Sequence, residues 1–250
     1  MKHFRYYLFV IIFSISLSIE GKTENQIVAD LSQENVKIST NFLGAKILLF
    51  GAYDGKPGDD IIVIVTGRKG LVTVQKKEKK FGMWVNTKKI NYINTPKYLS
   101  ISSNRPLKEI LDENTQKSSQ IGLNFLNIRT QPGSKILNNE NWREALTRNM
   151  IISKLWSVNE NSVILNKNAL FRSYLNLPSN VTVGKFEVKI LHYRSGKLIS
   201  TEKSTINVSK SGFSAQIYNI AQNYSTLYGI FAVLLAVLIG WGTNLIFRKV

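Results

Sequence analysis

Two histidines, His3 and His192, and no cysteine are what this 250-residue chain offers for imidazole or thiolate chemistry. Cysteine nucleophiles, zinc–thiolate sites and disulfide frameworks are therefore excluded. A histidine metal cluster goes with them. His192 follows Phe186, Val188 and Ile190 at alternate positions, so it reads as a structural histidine on the apolar face of a strand. No G-x-S-x-G motif supplies a serine for it to activate. Asp54, Asp59 and Asp60 stand in a Gly/Pro-rich loop and carry the oxygen ligands calcium takes. They lack EF-hand spacing and Lys56 sits among them, so a solvated turn is the better reading. Gly51 to Lys56 is too short for a phosphate-binding loop, and Pro57 replaces the hydroxyl residue such a loop needs. With no spacing that singles out a carboxylate pair, the chain reads as a non-enzyme: no catalytic residues, no cofactor and no metal site.

Charge is the more informative chemistry. Lysine and arginine number 33 against 16 acidic residues, a formal net charge of +17. The densest run holds Arg68, Lys69, Lys76, Lys77, Lys79, Lys80, Lys88 and Lys89 against Glu78, with Phe81 and Trp84 interleaved. A basic hairpin tipped with aromatics suits anionic lipid headgroups or an acidic partner, by charge attraction plus an amphipathic indole. The competing reading is a solvated edge protected by lysine, with Trp84 in the core. Arg105, Arg143 and Arg148 are the arginines placed to line a pocket for an anion. Nucleic acid is not expected: lysine (24) far outnumbers arginine (9), whose planar fork is the phosphate-reading group.

The elements that must position these residues are mostly strands. Short apolar or alternating runs occur at 36–38, 45–52, 60–66, 71–74, 83–85 and 98–101, separated by turn residues such as Asp54 to Asp59 and Asn94-Thr95-Pro96. Asn104-Arg105-Pro106 then opens a helical turn with Leu107, Ile110 and Leu111 on one face. Asn141-Trp142-Arg143-Glu144 resembles a capping box, starting a helix whose apolar stripe runs through Leu146 and Met150 to Trp156. Strands resume at Val163, and Ser195-Gly196 is a two-residue hairpin turn. The spacing predicts a mainly β fold: one or two immunoglobulin-like β-sandwiches with a helical insertion.

Two apolar segments set the topology. Lys2 and Arg5 precede the 14-residue run Tyr6–Ile19, short for a membrane span but right for a signal peptide. Leu227–Phe247 is 21 residues without a charge, about 31 Å as a helix, enough for a bilayer core. Arg248-Lys249 follow at once, which favours a cytoplasmic carboxyl end. The organisation is then a signal peptide at 1–18 (cleavage as late as 21) and a sandwich-like part at 22–105. A helical insertion at 106–158 and a second β-rich part at 159–210 follow. A juxtamembrane segment at 211–226, a transmembrane helix at 227–247 and a stub at 248–250 complete it. Ala232, Ala236, Gly240 and Asn244 recur every fourth residue of that helix, a stripe suited to self-association or docking on another membrane protein.

Leu48-Leu49-Phe50-Gly51-Ala52, Gly82-Met83-Trp84-Val85-Asn86, Ser103-Asn104-Arg105-Pro106-Leu107, Tyr228-Gly229, Gly240-Trp241 and Phe247-Arg248 add a further clue. With the two apolar segments, the chain from about Ile27 to Lys249 resembles an alphaproteobacterial family of transmembrane proteins, Alph_Pro_TM. The resemblance implies a Gram-negative inner membrane, a periplasmic domain and a role accessory to a transporter. It carries no catalytic signature. The expected function is a periplasmic interaction or scaffold module on a single membrane span, bound to a protein partner in the membrane or periplasm. The rival expectations are a receptor for an anionic ligand or surface and, third, an enzyme.

Overall fold

The computed structural model describes residues 27–132 and 139–247. Positions 1–26, with the expected signal peptide, and 248–250, with the expected stub, lie outside the described residues. Among the described residues thirteen strands are present: β1 (Ile27–Leu31), β2 (Asn35–Ile38), β3 (Gly44–Tyr53), β4 (Asp59–Thr66), β5 (Lys69–Lys80), β6 (Met83–Pro96), β7 (Leu99–Ser103), β8 (Arg129–Thr130), β9 (Trp156–Asn159), β10 (Ile164–Asn166), β11 (Leu170–Pro178), β12 (Gly184–Arg194) and β13 (Lys197–Lys210). The helices are α1 (Leu107–Ile110), α2 (Glu113–Ser118), α3 (Asn139–Ile152), α4 (Phe213–Asn223) and α5 (Ser225–Phe247), with a 3₁₀ turn at Leu123–Phe125. The chain is mainly β, as its alternating runs predict.

Two sheets share the first core. One has the order β1-β3-β11-β10, the other β2-β13-β12-β4-β7-β9. Along β11 burial alternates strictly, so Phe171, Ser173, Leu175 and Leu177 face inward. Phe171, Leu175 and Leu177 share a cluster with Ile61, Val63 and Val65 of β4 and Phe186, Val188 and Ile190 of β12. β4 behaves differently because it is covered on both faces, and Ile61 to Val63 are all fully buried. Its other face, with Leu191 and Tyr193 of β12, lies under a second layer: Val74, Ile90 and Tyr92 from a three-stranded sheet (β5-β6-β8), Leu107 and Ile110 from α1, and Leu146 and Met150 from α3. The two β-rich stretches of sequence are thus interleaved, since β3 pairs with β11 and β4 with β12.

Several local expectations change. β5 and β6 run 12 and 14 residues, far beyond the short apolar runs at 71–74 and 83–85. Helix α3 begins two residues before Asn141, so that residue lies inside the helix and is not its cap. It stops at Ile152, and Lys154 takes a positive φ of 57°. Trp156 therefore opens β9, where its indole N–H donates to the Pro96 carbonyl at 2.9 Å. Ser195 and Gly196 have φ of 48° and 75°, the paired positive values of the tight hairpin turn expected there.

Candidate functional site

Asp59 and Asp60 begin β4 and are both buried, so the expected solvated turn is corrected for these two, while Asp54 is exposed as expected. Their burial is tolerated because each carboxylate has an arginine. Arg194 Nε and Nη2 donate to the two oxygens of Asp59, each at 2.8 Å. The Lys56 amide donates at 2.7 Å, and His192 Nε2 stands 2.9 Å away. Burial opposes ionisation of Asp59, but the Arg194 bonds, the Lys56 amide and His192 outweigh it and hold the carboxyl well below the usual range. Arg105 grips Asp60 in the same forked manner, 2.6 Å to each oxygen, and Asn104 adds a third bond at 3.0 Å. The cluster ties the start of β4 to the end of β12 and to the segment after β7.

His192 is fully buried, with the Tyr53 ring edge-on at 5.1 Å between centroids. Asp59, His192 and Ser200 are the residue types of an acyl-transfer triad. Ser200 Oγ, however, lies 3.5 Å from His192 Nδ1, the long limit of a hydrogen bond. Asp59 already accepts two bonds from Arg194 and one from the Lys56 amide beside its contact with His192. His192 lies buried in β12 and links that strand to the start of β4 through Asp59.

The three arginines named for an anion are not brought together. Arg105 is committed to Asp60 and does not line the cavity shared by Arg143 and Arg148. Glu140 and Glu144 line that cavity as well, balancing its charge. Arg143 also donates to the carbonyls of Asn124 and Leu126 at 2.9 and 2.7 Å, fixing the 3₁₀ turn.

The lysines are gathered. Lys76, Lys77, Lys79, Lys80, Lys88 and Lys89 are all exposed on the β5–β6 hairpin. Trp84 is 70 % exposed, so the reading that buries it in the core does not hold. Phe81 is wholly exposed and Met83 66 % exposed beside it. Beyond Val74 and Ile90 the ribbon contributes nothing to either hydrophobic cluster. It is a finger, pinned at its base by the second core layer.

One further surface was not foreseen. A cavity of about 740 Å³ is lined by Val28, Phe50, Ile164, Leu170 and their neighbours, with Asp30 and Arg172 as its charged members. Those four apolar side chains are 44–61 % exposed. They come from β1, β3, β10 and β11, so only the pairing of these strands assembles the groove; no single run signals it.

Helix α5 carries the apolar stretch Ser225–Asn244, long and apolar enough to cross a membrane and unburied by the rest of the chain. Ala232, Ala236, Gly240 and Asn244 lie along it, and a Cβ added at Gly240 would meet nothing. No curated protein matches the chain. The family model described as "Putative transmembrane protein (Alph_Pro_TM)" matches residues 26–249, so the whole β-rich domain and its apolar helix are covered together. The chain belongs to that transmembrane family.

Proposed function

We propose that this chain is a membrane-tethered interaction module that works by binding a protein partner and not by catalysis. The β-rich domain lies on the periplasmic side of a Gram-negative inner membrane and the carboxyl end is cytoplasmic. The charge pattern supports this orientation: Arg248 and Lys249 follow the span directly, and basic residues are retained on the cytoplasmic side. Tyr224 and Tyr228 at one end and Trp241 near the other are exposed as interfacial aromatics are. The strand orders support an immunoglobulin-like sandwich of variable type, with β1-β3-β11-β10 as A-B-E-D and β2-β13-β12-β4-β7-β9 as an extended G-F-C sheet. The β5–β6 hairpin and the helices α1–α3 are insertions between its strands.

The observation that carries the reading is the groove at Val28, Phe50, Ile164 and Leu170. Large apolar side chains left half in water on a concave surface favour an apolar segment of a polypeptide. A pocket ringed by lysine and arginine would have favoured an anion. The sealed Asp59–His192 cluster supports the non-catalytic reading, because a buried imidazole cannot reach a substrate.

A photo-crosslinking residue in place of Phe50, in the full chain in native membranes, tests the proposal. One adduct of discrete size is expected, and it should vanish when Leu170→Asp puts a charge in the groove. No adduct, or one indifferent to Leu170→Asp, refutes the reading. A cytoplasmic reporter fused behind Val250 checks the orientation and should be active only inside the cell.

A further inference from the structure

We infer that the β5–β6 finger is a second membrane attachment: it inserts Phe81, Met83 and Trp84 into the interfacial layer of an anionic bilayer while its lysines engage lipid phosphates. The inference rests on the membrane tether but not on the groove, which lies on other strands.

Three features of the finger are unfavourable in water, and one surface relieves all of them. Phe81 occupies the first corner of the turn with φ of 49°, followed by Gly82 at 80°. A bulky side chain is a poor choice there, where Asn-Gly is the preferred pair. It nonetheless stands wholly exposed at the turn of the ribbon. Lys76 lies directly opposite Lys88, a like-charge pair that weakens a ribbon. Finally, Met83 and Trp84 follow Phe81 in solvent, next to cross-strand partners Lys80 and Lys79. At a lipid surface the apolar tip leaves water, the indole takes its amphipathic place and the lysine repulsion becomes attraction. Six lysines against Glu78, itself paired to Lys76 at 3.0 Å, leave the shaft strongly positive.

Topology puts the finger's root at the end of the sheet from which the chain leaves for the apolar helix. β12 runs antiparallel to both β4 and β13, so β4 and β13 run parallel. Thr66 pairs with Glu187, and Glu187 with Thr205, so the two strands finish at the same end of the sheet. From that end one strand leads into β5 after two residues, and the other leads through α4 into the apolar helix α5. From Val74, the last buried residue of β5, to Phe81 the ribbon extends about 23 Å. A peripheral protein surface would need acidic side chains matched to this ribbon. An anionic bilayer supplies charge and an apolar layer together, and the chain is already anchored in one.

The absence of native cysteine makes the test direct. The full chain carrying Met83→Cys is spin-labelled and reconstituted into vesicles of phosphatidylethanolamine with phosphatidylglycerol, and into phosphatidylcholine vesicles. Label depth is read from its collisions with oxygen and with a water-soluble nickel complex. In the anionic vesicles oxygen should dominate, with the label about 5–10 Å below the headgroups; in phosphatidylcholine nickel should dominate. Each lysine near an anionic surface is worth about a fivefold factor, so Lys77→Glu with Lys79→Glu should lower the inserted fraction relative to the aqueous one by at least about 25-fold. Phe81→Asn, which relaxes the turn, should also reduce insertion without unfolding the ribbon. A label equally open to nickel in both lipids, equally inserted in both, or shielded from both reagents by protein overturns the inference. None of these outcomes alters the Phe50 adduct, so failure here is separable from failure of the groove.

Discussion

Asp59→Asn isolates what the buried ion pairs contribute. The wild-type carboxylate accepts from Arg194 twice, from the Lys56 amide and from the side of His192, all between 2.7 and 2.9 Å. An amide keeps one acceptor oxygen and turns an N–H₂ toward donors, so at least two of these contacts fail. Breaking a fully buried charge pair costs about 3–5 kcal/mol. Arg194 is 24 % exposed along its side chain, so water takes back part of its charge, and the expected cost is about 2–3 kcal/mol. For a domain of this size that corresponds to a fall of roughly 4–12 °C in melting temperature. The assay is thermal unfolding followed by circular dichroism of the β signal, on the full chain in detergent. The pH dependence gives a second reading. Asp59 has a depressed folded-state pKa, so its stabilisation is fully present above the unfolded value near 3.9 and is lost as pH falls toward the folded one. The gap between wild type and Asp59→Asn should therefore narrow steadily below about pH 4. A shift under about 2 °C at neutral pH, or a gap that stays constant into acid, would refute the argument.

Other substitutions probe packing and the finger. Gly51→Ala should destabilise by about 1–3 kcal/mol or more, because a Cβ there collides with the Val28 carbonyl and comes within 2.6 Å of the Phe171 ring; chemical denaturation measures it. Phe81→Asn should raise stability by about 1 kcal/mol, since Asn accepts the positive φ, even as it impairs attachment to anionic vesicles. An unchanged or lowered denaturation midpoint would contradict the strain assigned to Phe81. Trp156→Phe should cost about 1–3 kcal/mol, because it leaves the buried Pro96 carbonyl without its donor. Loss well below that range, read from the same denaturation curves, would mean that water or a neighbour replaces the indole.

The strands that face one core are legible because burial imposes a period of two. Phe186, Val188 and Ile190 announce β12, and Ile61 to Val65 announce a strand covered on both sides. The apolar helix and the Ser195-Gly196 turn are visible for equally local reasons. The hairpin of β5 and β6 is visible as well but its length is not, because most of it buries neither face and lysine carries no alternation. Trp156 looks like the end of a helical stripe. What sends it into β9 is a parallel pairing with Leu99 of β7, far away in sequence. The pairing of Asp59 with His192 spans 133 residues, so its loop looks solvated until β12 arrives. The groove is hidden for the same reason, since four separate strands contribute three residues each.

The interleaving of early and late strands bears on how the polypeptide matures. β3 and β4 cannot gain their central neighbours until β11 and β12 have been synthesised, almost at the end of the domain. Contacts of such long range close slowly, and until then two apolar strands keep bare edges open to aggregation. Completion of the sheets thus falls close to the moment when the apolar helix α5 emerges. A chaperone that guards the nascent first half would therefore be needed for most of synthesis, and any truncation before residue 184 should yield inclusion bodies and not a smaller folded unit.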